Sequence, residues 1–265
     1  MPFAALTALL TALVVVAPVD GATPKPVRVE LYRQGDFVSQ TNSVQCIGAS
    51  MQMMLNMIEP RNDRSARTQL ALQRIARSNS PKRIGPGGVE FTRPRRGASS
   101  FGWAAGLSKI GGGPYRVTSA PSLGGALRLA ARAMRDTRRP VGLLVWHGAH
   151  AWVMSGFEAT RTKDGKIGRI RAVTVLDPWY PRSSRTYGSS PGPGTRLTPR
   201  QLSADFLRWH RHFRSPFDGE YVVVIPYRPV EPPQVSPVAP SAIGTQRHTV
   251  RSAVGNRPPT AQYAI

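Results

Sequence analysis

The amino-acid sequence predicts an α+β fold, with helices in the first half of the domain and a mainly antiparallel sheet in the second. Apolar residues recur at helical spacing before Pro140, whereas runs rich in β-branched and aromatic residues follow it. The chain has 265 residues, of which 40% are hydrophobic, enough for one domain with a buried core. Helices and strands that are segregated along a chain are typical of the α+β class.

The chain begins with a segment that is typical of export. Residues 1–22 contain a largely apolar run over Ala4–Val16, which matches the core of a signal peptide and is shorter than the roughly 20 residues that span a membrane. We expect cleavage near Gly21 or Ala22 and a secreted or extracellular protein. Because no Lys or Arg precedes the run, three alternatives stay open: a start further upstream, retention as a weak membrane anchor, and a buried N-terminal helix.

Three further segments complete the predicted organisation. Residues 23–35 form a proline-containing lead-in, residues 36–228 form the folded domain, and residues 229–265 form a disordered tail with seven prolines. The expected helices are Ser43–Glu59, Arg64–Arg77, Phe101–Ile110, Ser122–Arg138 and Thr198–His210. The expected strands are Val141–Trp146, Ala151–Ala159, Ile170–Leu176 and Tyr221–Tyr227, and Arg182–Pro199 is expected to be a flexible loop.

The charge of the chain restricts its partners. Lys and Arg number 36 against 14 Asp and Glu, a net charge of +22, which favours attraction to anionic wall polymers or lipid surfaces. No nucleic-acid partner is expected, because the aromatic residues are not interleaved with the arginines and no zinc finger or repeat is present. The arginines of the Ser122–Arg138 helix are interpreted as a solvated face. The lone cysteine excludes a disulfide framework and a cysteine-based metal site.

That cysteine, Cys46, is the candidate nucleophile. It lies in the first turn of the predicted Ser43–Glu59 helix, where free N–H groups and the helix dipole favour negative charge and therefore the reactive thiolate. A free cysteine at such a position is more often a small buried hydrophobe, so a partner base is needed.

The base is predicted from a hairpin. Asp164-Gly165 is a strong signal for a two-residue turn, and this turn would place Trp152 opposite Asp177. His150 and Asp177 are then diagonal neighbours on one face, within reach of a hydrogen bond, whereas His147 points the other way. We expect the carboxylate to hold Nδ1 of His150, which leaves Nε2 to face the thiol.

Two further kinds of site residue are expected. Gln40 precedes the cysteine by six residues, so its carboxamide can fold back and form an oxyanion hole with the backbone N–H of Cys46. Trp152 and Trp179 flank the His–Asp pair and are candidates for lining the substrate cleft, although packing in the sheet core is the more frequent reason for such tryptophans.

The order Gln40, Cys46, His150, Asp177 resembles the papain-like cysteine peptidases. The strings VQCIGASMQMML, PVGLLVWHGAHAWVMSGFEA and VTVLDPW are similar to the bacteriocin-processing (double-glycine leader) branch and its stand-alone secreted relatives, over residues 36–228. The chain departs from that branch at Ile47-Gly48, where the family commonly has Gly-Pro. The resemblance implies a two-lobed fold with a helical lobe carrying the cysteine and a sheet lobe carrying His and Asp.

The function expected from this constellation is peptide-bond hydrolysis through a thioester, on a peptide or protein substrate, by a monomer that needs no metal or organic cofactor. Two alternatives stay open. The same residues serve other thioester chemistry, such as transpeptidation, deamidation or amide hydrolysis on wall peptides. The domain could also be a non-catalytic basic module that binds the envelope.

Overall fold

The structure, a computed structural model, describes residues 26–81, 97–210 and 216–228. The predicted signal segment 1–22 and tail 229–265 lie outside these residues. Within the described ranges, no helix has the combination of length and apolar character that crossing a bilayer requires.

Five helices and nine strands are present in the described residues. The helices are α1 (Cys46–Ile58), α2 (Ala66–Ser78), α3 (Ser100–Lys109), α4 (Leu123–Thr137) and α5 (Pro199–Leu202). The strands are β1 (Val27–Glu30), β2 (Tyr115–Ala120), β3 (Val141–Val145), β4 (His150–Arg161), β5 (Ile167–Leu176), β6 (Ser183–Ser184), β7 (Gly188–Ser189), β8 (Thr195–Leu197) and β9 (Tyr221–Pro226). Side chains of Ser65, Ser99 and Ser122 cap the starts of α2, α3 and α4.

The strands form an antiparallel sheet in the order β2-β9-β3-β4-β5-β8, and β1 pairs with the far half of β4. Strands β6 and β7 form a separate two-stranded ribbon. Strand β4 is central, because β5 lies along one side of it while β3 and β1 share the other.

Helices cover both faces of this sheet. Because successive strand residues point to opposite faces, Ala151 and Val153 pack with α1 and α3, whereas Trp152 and Met154 pack with α4. Helix α1 is buried along nearly its whole length, as a helix between a sheet and α2 must be. Its first turn therefore lies at the end of the sheet where β4 begins.

The predicted α+β class is confirmed, and the cysteine helix packs on the sheet that carries the candidate His and Asp, as the papain-like resemblance implies. Helices and strands are nevertheless less segregated than expected. The lead-in segment contains β1, and β2 joins the sheet between two helices.

Two local predictions near the end of the domain are wrong. The expected Thr198–His210 helix ends at Leu202, because the following turns bury Phe206 in the core beneath α4. The expected loop over Arg182–Pro199 contains β6, β7 and β8, and β8 pairs with β5 at the sheet edge. In both cases tertiary contacts override the local pattern.

Candidate active site

Cys46 is the first residue of α1, and its side chain is partly exposed. Side chains from the neighbouring helix α2 hold this helix start in place. Gln73 Oε1 accepts a hydrogen bond from the N–H of Gly48 over 2.8 Å, and its Nε2 donates to the Val44 carbonyl over 3.0 Å. Gln73 therefore satisfies one of the free N–H groups of the first turn and leaves the end bearing Cys46 available to an anion.

A second glutamine one turn earlier on α2 fixes the preceding loop. Gln69 accepts from the N–H of Thr41 over 2.8 Å and donates to the Ser39 carbonyl over 3.0 Å. The contact needs a glycine on α1, since a Cβ at Gly48 would lie 2.7 Å from the Gln69 carbonyl oxygen. The Ile47-Gly48 pair, which departs from the family pattern, is thus the point of closest approach between the helices.

His150 and Asp177 meet at the end of the sheet beside α1. Nε2 of His150 donates to Oδ1 of Asp177 over 2.7 Å, and the two side chains are 5% and 0% exposed. The first turn of α1 is tied to the same strand end, because Ser50 Oγ donates to the Ala151 carbonyl over 3.3 Å. Cys46 also interacts with His150, since it is among the groups that raise the pKa of the imidazole. The structure therefore brings the three predicted side chains together.

The ring orientation of His150 is the reverse of the predicted one. The expectation placed Asp177 on Nδ1, but Asp177 holds Nε2, which leaves Nδ1 for the thiol of Cys46. The physical reason is reach: Asp177 lies across the hairpin and is met by the tip of the ring. Cys46 lies on the helix packed against β4, and the nitrogen nearer the main chain is the one that remains for it.

These contacts decide the charge of the imidazole. Burial by itself lowers the pKa of His150, but the hydrogen bonds to Asp177 and Cys46, together with their negative charges, outweigh it and raise the pKa to about 9. At neutral pH the site thus favours an imidazolium, next to the carboxylate of Asp177 and the sulfur of Cys46.

Asp177 is oriented by the chain that follows it. Its Oδ1 also accepts from the N–H of Trp179 over 2.8 Å, whereas its Oδ2 is buried with no hydrogen-bond partner among the described residues. A carboxylate with one free buried oxygen interacts most favourably with a protonated His150, which reinforces the raised pKa of the imidazole. Across the described ranges, no three His, Cys, Asp or Glu side chains lie close enough to hold a metal ion.

Gln40 is buried beside the chain that follows Asp177. Its N–H donates to the Pro178 carbonyl over 2.7 Å, and its carbonyl accepts from Arg182 over 2.8 Å. Nε2 donates to the Asn42 carbonyl over 2.6 Å, and this contact fixes the orientation of the carboxamide. Nε2 carries a second proton, so one donor remains for an oxyanion. Its role in an oxyanion hole stays a prediction.

Sequence reasoning missed an aromatic stack that covers the imidazole. The Trp146 ring stacks on His150 with centroids 4.3 Å apart, and Tyr187 stacks on the other side of Trp146 at 4.9 Å. Asp205 holds Trp146 with two hydrogen bonds. Its carboxylate accepts from the indole N–H over 2.9 Å, and its backbone carbonyl accepts from the backbone N–H of Trp146 over 2.8 Å. Burial, aided by the charge of Asp177, raises the pKa of Asp205 despite the indole hydrogen bond.

The stack depends on an unusual turn between β3 and β4. Trp146 and His147 both have positive φ, of 54° and 56°, in the left-handed region that non-glycine residues seldom occupy. Besides Asp205, the turn is held by Nδ1 of His147, which donates to the Arg208 carbonyl over 2.8 Å. The exposed His147 side chain is thus directed away from Cys46, in agreement with the choice of His150.

The two tryptophans predicted to line the cleft have different positions. Trp152 is fully buried in the core beneath α4, so it cannot contact a substrate, and that expectation is wrong because its strand face is covered by a helix. Trp179 is half-buried, with the Arg182 guanidinium 5.1 Å above its ring. Its contact with substrate stays a prediction.

The comparisons with known proteins give remote structural likeness alone. No family model matches the chain, and no curated protein matches it. Among solved structures, the chain is similar to the crystal structure of UfSP from C. elegans, with 16% sequence identity and a TM-score of 0.44. The match covers 80% of this chain but only 36% of that one. The α+β class therefore follows from the helices and the sheet topology, and the site is defined by its own contacts.

Proposed function

We propose that this protein is a cysteine peptidase in which Cys46 attacks a peptide carbonyl. The observation that carries the proposal is the buried His150–Asp177 hydrogen bond, formed beside Cys46 at the start of α1 and at the end of the sheet. The resemblance of the cysteine, histidine and aspartate strings to bacteriocin-processing peptidases supports a peptide substrate, and the finer relationship to that branch is part of the proposal.

The reaction follows from this geometry. The thiolate of Cys46, whose proton is held on Nδ1 of His150, forms a bond to the carbonyl carbon, and the oxyanion is stabilised by Gln40 Nε2 and the Cys46 N–H. His150 then gives its proton to the leaving amine as the C–N bond breaks, which leaves a thioester. Water then attacks the thioester carbonyl while His150 accepts its proton. The C–S bond breaks, the sulfur of Cys46 takes this proton back from His150, and the acid product is released. Asp177 keeps the imidazole oriented throughout.

Labelling with an active-site-directed epoxide, followed by peptide mapping, tests the assignment directly. We expect one adduct, on Cys46, and we expect labelling to be slowed strongly in His150→Ala but not in the control His210→Ala, whose exposed side chain lies 3.5 Å from Asp218. Peptide hydrolysis that persists undiminished in Cys46→Ala would refute the proposal, as would labelling that is slowed only by His147→Ala.

Product analysis separates hydrolysis from the alternative thioester reactions. In water enriched in ¹⁸O, a peptidase places the label in the new carboxylate of a cleaved peptide. A transpeptidase joins the acyl group to an added amine, and a deamidase leaves the backbone intact. Only the first result agrees with the proposal.

We also propose that the protein is exported. The support is the apolar run over Ala4–Val16 followed by Gly21 and Ala22. Expression of the full chain in a bacterial host, with N-terminal sequencing of the released protein, tests it. A protein that stays inside the cell with residues 1–22 intact contradicts the proposal.

A further inference from the structure

A cavity of about 840 Å³ lies between α4, the tip of the β4–β5 hairpin and the start of α5. It is remote from the candidate active site, because Thr160 lines it while His150 begins the same strand. Ten residues of extended chain separate them, roughly 30 Å. This arginine groove, as we call it, is lined by five arginines: Arg128, Arg132, Arg169, Arg171 and Arg200.

The five arginines reach the groove from three elements. Arg128 and Arg132 are one turn apart on α4, Arg169 and Arg171 lie on β5, and Arg200 lies on α5. Among the described residues, none of these five side chains has a hydrogen bond or an ion pair. No Asp or Glu of the described residues lines the groove. Arginines close by do have partners, as when Arg196 pairs with Glu158.

The floor of the groove is apolar. Leu127, Ile167 and Ile170 line it and are buried. The guanidinium of Arg128 bends over the first turn of α4, where a Cβ on Gly124 would lie 3.3 Å from its Nη1. The groove therefore combines fixed positive charge with an apolar base, in a concave space large enough for a small molecule or a segment of a chain.

Five cations around one concavity repel each other, so the arrangement is stabilised when an anion enters. The planar guanidinium presents paired N–H donors that match the oxygens of a phosphate group. A concave site fits a single flexible chain better than a flat membrane surface, and the apolar floor suits the carbon atoms that link successive phosphates.

We propose that the arginine groove binds phosphate groups carried on a soluble, flexible chain. This site is distinct from the candidate active site and does not depend on the peptidase proposal. It also gives the general attraction to anions, which the net charge of +22 indicates, a defined site among the described residues.

Calorimetric titration of the full chain with inorganic tripolyphosphate tests the proposal. The double variant Arg132→Gln, Arg169→Gln removes two groove charges. The control Arg67→Gln, Arg74→Gln removes two charges from the exposed face of α2. We expect the groove variant to weaken binding by about tenfold or more, because charge-assisted hydrogen bonds are lost. We expect the control to change binding less than about twofold, since screened charges at a distance contribute little.

Equal weakening by the two variants would overturn the proposal, because it would assign binding to net charge alone. Two competing probes test the chemical class. We expect vesicles of phosphatidylglycerol and phosphatidylcholine to bind the unmodified protein and the groove variant equally well. This result agrees with the proposal only if the groove variant has lost affinity for tripolyphosphate. Polyglutamate that binds the groove as tightly as tripolyphosphate would refute a phosphate site. Binding is measured without substrate, so each outcome is independent of catalysis.

Discussion

Replacing Asp177 with Asn is expected to lower the pKa of His150 from about 9 toward the ordinary histidine value of 6.5. Burial by itself lowers this pKa, and the hydrogen bond to Asp177 is the largest of the interactions that raise it. The hydrogen bond and charge of Cys46 and the charge of Asp177 raise it further. Asp218→Asn is the control, since it removes a carboxylate that lies 3.5 Å from the exposed His210.

The same shift predicts how stability depends on pH. A folded-state pKa above the unfolded value contributes stability that is fully present below pH 6.5 and is lost as the pH rises through about 9. The difference from 6.5 to about 9 corresponds to about 3 kcal/mol, at 1.36 kcal/mol for each pH unit. In Asp177→Asn the loss of unfolding free energy over this range should be much smaller.

Two measurements check this reasoning. NMR titration of ¹³C-labelled histidine rings gives the pKa of His150 in each variant, with its signal assigned from its absence in His150→Asn. Urea unfolding at pH values from 6 to 9.5 gives the free energy of unfolding. If His150 titrates near 6.5 in the unmodified protein, or if its pKa is the same in Asp177→Asn, the described charge arrangement is incorrect.

Three other substitutions test separate parts of the site. Gln40→Ala should lower the rate of peptide hydrolysis by roughly 10²–10³-fold while cysteine alkylation stays nearly unchanged, because alkylation forms no oxyanion. Gly48→Ala should lower the urea unfolding free energy by about 1–3 kcal/mol through its clash with α2. Its control Gly124→Ala, in the first turn of α4, should raise it by about 0.5–1 kcal/mol. Trp146→Ala should slow alkylation of Cys46 up to about tenfold, and Trp146→Phe should restore most of the rate, because a stacked ring orients the imidazole. A Trp146→Ala variant with an unchanged alkylation rate and pH profile would contradict that role.

Much of the structure could be predicted because local patterns agree with the tertiary fold. The helical spacing around Cys46 predicts α1 within three residues at its start, and the β-branched runs after Pro140 predict strands β3, β4, β5 and β9. The choice of His150 over His147 rests on strand alternation in the sequence, whereas in the structure His150 begins β4 and His147 lies in the turn before it.

The residues that hold the site in place could not be predicted, because their signal is not local. Gln69 and Gln73 are ordinary helical residues in the sequence, and only the packing of α2 against α1 directs their carboxamides to the cysteine loop. Asp205 likewise belongs to an apparent helix until the burial of Phe206 ends it and brings its carboxylate to Trp146. Both cases are tertiary contacts that override local propensity.

The predicted pairing of the hairpin near the site is correct although the predicted turn is wrong. The turn has three residues, 163–165, because the N–H of Thr162 donates to the Lys166 carbonyl over 2.9 Å, and Gly165 has a φ of 77°. Compared with a two-residue Asp164-Gly165 turn, this turn shifts the pairing of β4 with β5 by one residue. Three irregularities in that pairing follow along the hairpin. Two insert a residue in β5 and one inserts a residue in β4, so the displacement is cancelled before the site.

The β4 irregularity lies where β1 joins this strand, and the sequence did not predict β1. At Ser155 the β4 carbonyl turns to accept the N–H of Leu31 over 2.9 Å, on the β1 side of the strand. Glu30 lies over Gly156, where a Cβ would be 2.4 Å from its Oε2, and it accepts from Thr174 Oγ1 over 2.5 Å. Without this bulge, β4 would be one residue out of step with Asp177, and the alternation of side chains would direct His150 away from it. The contact between base and carboxylate therefore depends on a bulge in the middle of β4, beside β1, which is why a correct local turn alone would not have been sufficient to predict it.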